Sequence, residues 1–108
     1  MLKKRQRLTK KAFDTSFKVG KRFHTPELQL IYDKSTPFHG AAVVGKKVYK
    51  KEVDRNRLRR QLYGVLYRQQ KKTTLNGTYI IIAKPAAKAL SKKQIPELVE
   101  ELVGRTLK

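Results

Sequence analysis

The stretch "YIIIA", residues 79–83, sets the tightest limit on how this chain folds. It is a continuous apolar run, bounded by Asn76-Gly77 before it and Lys84-Pro85 after it. Side chains alternate across a strand, so a run that is apolar at every position needs cover on both faces. It therefore reads as a strand sandwiched between other elements. A chain of 108 residues, 39% of them hydrophobic, has apolar surface for one modest core and not for two. A single domain spanning 1–108 is expected.

The remaining elements follow from pattern and punctuation. Residues Thr9 to Val19 suit a short helix, with Thr9 as its cap, Phe13 and Phe17 spaced i and i+4, and Gly20 as its stop. "LQLIYD", 28–33, alternates Leu28, Leu30 and Tyr32 with Gln29, Ile31 and Asp33, which predicts a strand with one wetter face. "KSTPFHG", 34–40, is a turn, and "AAVVG", 41–45, is a second strand. The short connection predicts that these two strands form an antiparallel hairpin. A long helix then runs to about Lys72, burying Leu58, Leu62, Val65 and Leu66 on one stripe. Ser91 and Gln94 have the spacing of a capping box. Ile95, Leu98, Val99, Leu102 and Val103 form a last amphipathic stripe, with Pro96 placed as the first residue of the regular helix. The order is α-β-β-α-β-α, with a further strand at Lys21–Thr25, and the class is α+β.

Charge narrows the partners. Twenty-seven Lys and Arg against eight Asp and Glu give a formal net charge of +19. Such a chain repels itself, and a polyanion offsets that repulsion. Nucleic acid is the first candidate and an anionic membrane surface the second. No stretch reaches the roughly 18 apolar residues of a membrane span. The basic start "MLKKRQRLTKK" has no apolar segment after it, so it does not read as a secretory signal. Residues 1–8 read as a basic, flexible arm. The chain has no cysteine, which fits a reducing cytoplasm and rules out disulfides and thiolate metal sites.

The cations are densest in "KKEVDRNRLRRQLYGVL", 50–66, where four arginines fall within six residues around Asn56. On a helical wheel Asn56, Arg60, Tyr63 and Tyr67 lie opposite the Leu/Val stripe, bordered by Arg57 and Gly64, while Arg55 and Arg59 flank the stripe. One helix thus offers guanidinium, amide and phenol groups together. Guanidinium forks bind phosphates bidentately and stack on bases, which suits RNA. Gly64 lets a backbone approach closely. A merely solvated basic face is the bland alternative. Against it, residues 46–72 hold eleven cations and only Glu52 and Asp54 as anions, so internal pairing cannot neutralise them.

"VVGKKVYKKEVDRNRLRR", 43–60, resembles the signature of the bacterial ribonuclease P protein component: a strand ending in Lys-Lys, a short basic crossover, then Arg-Asn-Arg and a further basic pair on a helix. "RLTKKAFDTSF", 7–17, is similar to the opening of that family, "LIYD", 30–33, to its first long strand, and "YIIIAKPAA", 79–87, to its last. The resemblance covers essentially the whole chain. Gly45 stands where the family commonly has Ser, and Tyr63 where it often has Arg. The resemblance implies a single domain with a mixed sheet of about four strands and three helices, in the order αβββαβα, with a left-handed βαβ crossover. General handedness statistics would have chosen the opposite hand.

For function, the resemblance implies a subunit that assists a catalytic RNA in removing the 5′ leader of precursor tRNA. Lys46, Lys47, Arg55, Asn56, Arg57, Arg59 and Arg60 would hold the catalytic RNA. Phe13, Phe17, Tyr32 and Lys84 would receive the single-stranded leader, where aromatic rings stack bases without sequence preference. The Phe13 and Phe17 pair is equally the pattern of a core. The partners implied are ribonuclease P RNA and precursor tRNA, with no membrane and no small-molecule substrate. Mg²⁺ would be held mainly by RNA phosphates and none by the protein. No catalytic side chain is expected.

The residues agree with that division of labour. Metal-assisted phosphodiester hydrolysis needs converging carboxylates, and these are spread over Asp14, Glu27, Asp33, Glu52, Asp54, Glu97, Glu100 and Glu101. His24 and His39 do not form an acid–base pair in the sequence. Two other readings remain: a small ribosomal protein, which would bind ribosomal RNA and leave tRNA maturation untouched, and a stand-alone nuclease, which would cleave RNA without a partner.

Overall fold

The computed structural model describes residues 10–34, 38–72 and 75–106, apart from the side chain of Ala12. The basic arm 1–8 and the proposed cap Thr9 lie outside them. Helix α1 spans Lys10–Val19, strand β1 Lys21–His24, β2 Leu28–Asp33 and β3 His39–Val43. Helix α2 spans Glu52–Lys72 and β4 Thr78–Ala83, and a short 3₁₀ turn at Pro85–Ala89 leads to helix α3, Gln94–Thr106. The element order is the one the family resemblance implied.

The strands form one mixed sheet in the order β1-β2-β4-β3. β4 is central, antiparallel to β2 (Leu30 opposite Ile81) and parallel to β3 (Ala42 opposite Ile81). This corrects the expected hairpin between 28–33 and 41–45, because β4 separates those two strands. The reason lies in composition. "YIIIA" is the strand that most needs neighbours on both edges and layers on both faces, so it displaces the local pairing. β2 forms its hairpin instead with β1, through a turn in which the Leu28 amide donates to Thr25 Oγ1 at 3.0 Å. β3 also begins two residues earlier than expected, at His39. Parallel β3 and β4 require a crossover, and α2 supplies it.

The sheet divides the core. On one face Leu28, Leu30, Ala42, Tyr79 and Ile81 meet Leu58, Leu62, Val65 and Leu66 of α2 and Ile95, Val99, Leu102 and Val103 of α3. On the other, Ile31, Ala41 and Ile80 pack beneath α1, with Phe13, Val43 and Ile82 half-buried around them. Ile31 is therefore fully buried, and the face of β2 expected to be wet is covered at its centre. Gly20 lets α1 lie this close: a Cβ there would come within 2.5 Å of Ile31 Cγ2. Gly77, at φ 102°, makes the tight entry into β4 against the Asp33 carbonyl.

At α3 the capping box forms as its spacing predicts. The Gln94 amide donates to Ser91 Oγ at 3.2 Å and the Ser91 amide to Gln94 Oε1 at 2.9 Å. The helix starts at Gln94 and not at Pro96. Pro96 follows the first amide bonded four residues back, Ile95 to Ser91 O at 3.2 Å, so its missing N–H costs one bond, to the carbonyl of the exposed Lys92.

Candidate nucleic-acid interface

The crossover loop between β3 and α2 carries Lys46, Lys47, Lys50 and Lys51, all exposed. Its shape is set by Val48, buried in the core, and by the Gly45 carbonyl, which accepts from the Val48 amide at 3.1 Å. Burying Val48 turns the lysines on either side of it outward. α2 then starts with Glu52 and Asp54 in its first turn, where carboxylates complement the helix dipole.

The four clustered arginines at the start of α2 have different surroundings. Arg55 is half-buried and donates to the carbonyl oxygens of Tyr49 at 3.0 Å and Lys50 at 2.6 Å, so it braces the crossover loop. Arg59 donates to Asn56 Oδ1, fixing the amide. Arg57 lies 3.9 Å from Asp54, an exposed contact of little energetic weight. Arg60 is exposed and has no ion pair or hydrogen bond to a described residue. Continuing its line along the helix brings up Gly64, Arg68 and Lys71. Tyr63 and Tyr67 are half-buried and pack against the core, rather than standing free as the wheel implied.

Lys88 joins this surface from the 3₁₀ turn. With Lys46, Lys47, Lys50 and Lys51 it surrounds an open concavity of about 880 Å³, and its Nζ sits 5.7 Å over the Tyr49 ring. Asp54 is the single acid in that lining. Sequence reasoning missed Lys88, which lies far along the chain on a turn with no helical phase to reveal it. It also missed Arg68 and Lys71, whose helical phase was readable but which lie outside the dense cluster upstream.

The opposite face of the sheet is only partly covered by α1. Phe13 is half-buried on the Ile31, Ala41 and Ile80 cluster, and Phe17 is 36% exposed. Their rings stack at 5.9 Å with a 25° tilt. Beside them a row of residues crosses the sheet in register: His24, Gln29, Ile82 and Val43. His24 is exposed and the other three are half-buried, which makes a shallow amphipathic floor. Lys84, in extended backbone, continues the alternation of Ile80 and Ile82 onto this face, and its Nζ donates to Thr25 O at 2.8 Å.

Tyr32 does not join them. In register with Lys21 and Tyr79, it lies on the α2/α3 side, 4.9 Å from the Tyr79 ring, and its hydroxyl donates to Asn76 O at 3.3 Å. Strand alternation makes this unavoidable once Ile31 is the residue beneath α1. The expected grouping of Phe13, Phe17, Tyr32 and Lys84 is corrected for Tyr32, which lies on the other side of the sheet from Phe13.

Among the described residues, no three His, Asp or Glu side chains converge as a metal site would require. Nor is any described helix long and apolar enough to cross a membrane.

A family model for ribonuclease P matches residues 2–107. The chain belongs to the family of bacterial ribonuclease P protein components. It is 31% identical over 97 residues to the ribonuclease P protein component of Nitratiruptor, covering 90% of this chain and 87% of that one. The fold is that of the Staphylococcus aureus RNase P protein, with a TM-score of 0.82, 23% identity and 94% of each chain covered. The RNase P protein of Thermotoga maritima superposes with a TM-score of 0.76 at 20% identity, over 89% of this chain and 94% of that one. As a family member the chain is a protein subunit of a tRNA-processing ribonucleoprotein, and its partner is an RNA.

Proposed function

We propose that this chain binds the catalytic RNA of ribonuclease P through α2 and the crossover loop, and the 5′ leader of precursor tRNA through the groove beside α1. It thereby assists endonucleolytic removal of the leader in the cytoplasm. The observation that carries this reading is that two different surfaces lie on opposite sides of one sheet. On one side, Lys46, Lys47, Arg57 and Arg60 are exposed on a braced loop and helix, where they suit the phosphates of a folded RNA. On the other, the stacked Phe13 and Phe17 stand beside an amphipathic floor that includes Gln29 and Ile82, which suits a flexible single strand.

Bond cleavage is assigned to the RNA and its Mg²⁺ ions, with the metal held mainly by RNA phosphates. The chain's own part is to bind and orient. Its cations screen RNA–RNA repulsion, which lowers the divalent ion needed to hold substrate and catalytic RNA together.

The test is cleavage of precursor tRNA at low Mg²⁺ by the protein alone, a bacterial ribonuclease P RNA alone, and the two mixed. Cleavage at the mature 5′ end in the mixture only is the expected result. Cleavage by the protein alone would overturn the division of labour.

A further inference from the structure

Arg22 has no place in the surfaces described so far, yet it is built into the mouth of the groove. In β1 it is in register with Ile31, so it projects on the α1 side of the sheet. Its guanidinium carbon lies 4.6 Å from the centroid of the Phe17 ring. One of its terminal nitrogens donates to the Phe17 carbonyl at 3.0 Å, a carbonyl in the last turn of α1 that has no amide to bond within the helix. Arg22 is nonetheless exposed and has no ion pair among the described residues. A guanidinium carries five N–H donors, and this contact occupies one terminal nitrogen.

Two consequences follow. Phe17 already carries two stacking partners, Phe13 and Arg22, so its ring is a support rather than an empty platform for a base. Arg22 itself is pre-organised: the hydrogen bond to the Phe17 carbonyl and the contact with the Phe17 ring restrain its guanidinium, which reduces the rotamer freedom lost when it binds a ligand. An immobilised fork with spare donors, next to an amphipathic groove, fits the backbone phosphate of a single-stranded RNA.

We infer that Arg22 is a leader-binding residue, positioned by Phe17 to hold a phosphate of the single strand as it leaves the groove. This rests on the leader reading above. The alternative is that Arg22 only caps the end of α1.

The experiment uses the holoenzyme reconstituted from this chain and a bacterial ribonuclease P RNA. Affinity is measured across a salt series for precursor tRNA and for mature tRNA, which lacks the leader. Arg22→Gln keeps a neutral donor for the Phe17 carbonyl and removes the charge, and Arg22→Lys keeps the charge. For wild type, the leader-bearing substrate should bind more tightly. In Arg22→Gln that increment should fall, with the salt slope for precursor tRNA smaller by about 0.7, the value for one phosphate contact on a single strand. Mature tRNA should be unaffected, Tm should hold, and Arg22→Lys should restore the slope. A wild-type increment that Arg22→Gln leaves intact would overturn the role of Arg22 alone. Equal weakening for both substrates with a lowered Tm would reduce it to a helix cap. No increment in wild type would overturn the leader reading and this inference together.

Discussion

The Arg55 guanidinium reaches back from the first turn of α2 to the carbonyl oxygen of Lys50, at 2.6 Å, and holds the crossover loop against the helix. The most conspicuous arginine cluster in the chain thus divides into a brace and an outward face. Arg55→Ala should lower thermal stability by about 1 kcal/mol, since the half-buried Tyr49 carbonyl loses a charged donor while the exposed Lys50 carbonyl turns to water, and should weaken RNA binding by loosening the loop. Arg60→Ala should leave stability within about 0.5 kcal/mol, yet flatten the salt dependence of catalytic-RNA binding by about 0.7–0.9. Thermal melts together with binding titrations in a salt series separate the two. A salt slope unchanged in Arg60→Ala would remove that residue from the phosphate contacts.

Gly64 sits in the middle of α2, where a Cβ would meet only an Arg68 guanidinium nitrogen, at 3.9 Å. Nothing among the described residues demands a glycine there. Gly64→Ala should therefore stabilise the fold by about 0.5–1 kcal/mol, while lowering affinity for the catalytic RNA if its backbone packs against this notch. Denaturation and binding measured on the same variant would show the two effects with opposite sign. Raised stability with unaltered affinity would place the RNA elsewhere along the helix.

Tyr79 is fully buried, and its hydroxyl, with those of Thr106 and Tyr32 near it, makes no hydrogen bond of good geometry to a described residue. Burial raises the phenol above its ordinary value of 10.0. The unfolded chain therefore ionises this group first. Its contribution to stability is whole below pH 10 and is lost as pH rises from there through the folded-state value. Tyr79→Phe removes both the unpaired hydroxyl and that alkaline loss. It should be neutral or stabilising by about 1 kcal/mol at pH 7, with its advantage growing above pH 10. Chemical denaturation at neutral and alkaline pH measures it, and a destabilised Tyr79→Phe would show that the hydroxyl is hydrogen-bonded after all.

The separation of Tyr32 from the groove has its own test. Tyr32→Leu should cost stability, because the ring packs at 4.9 Å on Tyr79, and should leave the affinity gained from the leader unchanged. Phe13→Leu should reduce that gain. The comparison is again precursor against mature tRNA, and a loss confined to the Tyr32 variant would return Tyr32 to the leader groove.

Much of this molecule was legible in one dimension. Periodicity placed Leu58, Leu62, Val65 and Leu66 on the buried stripe of α2, spacing identified the Ser91–Gln94 box, and composition marked 79–83 as a strand covered on both faces. These are local or single-element properties, so a local reading suffices for them. Lys88 and Arg22 were invisible because their significance comes from neighbours elsewhere in the chain: Tyr49 and the crossover lysines for one, Phe17 across the end of α1 for the other.

Sequence by itself determined the elements, the single core, the cationic helix and, through whole-chain resemblance, the family. Tertiary structure decided which strand lies between which, which side of β2 faces α1, and which arginine is a brace and which is open. The physical reason is that strand pairing and side-chain contacts are settled by competition among distant segments for a limited apolar core. β4 won the centre of the sheet because it is apolar at every position from Tyr79 to Ala83, and once it stood there Ile31 took the place beneath α1 and Tyr32 had to turn away.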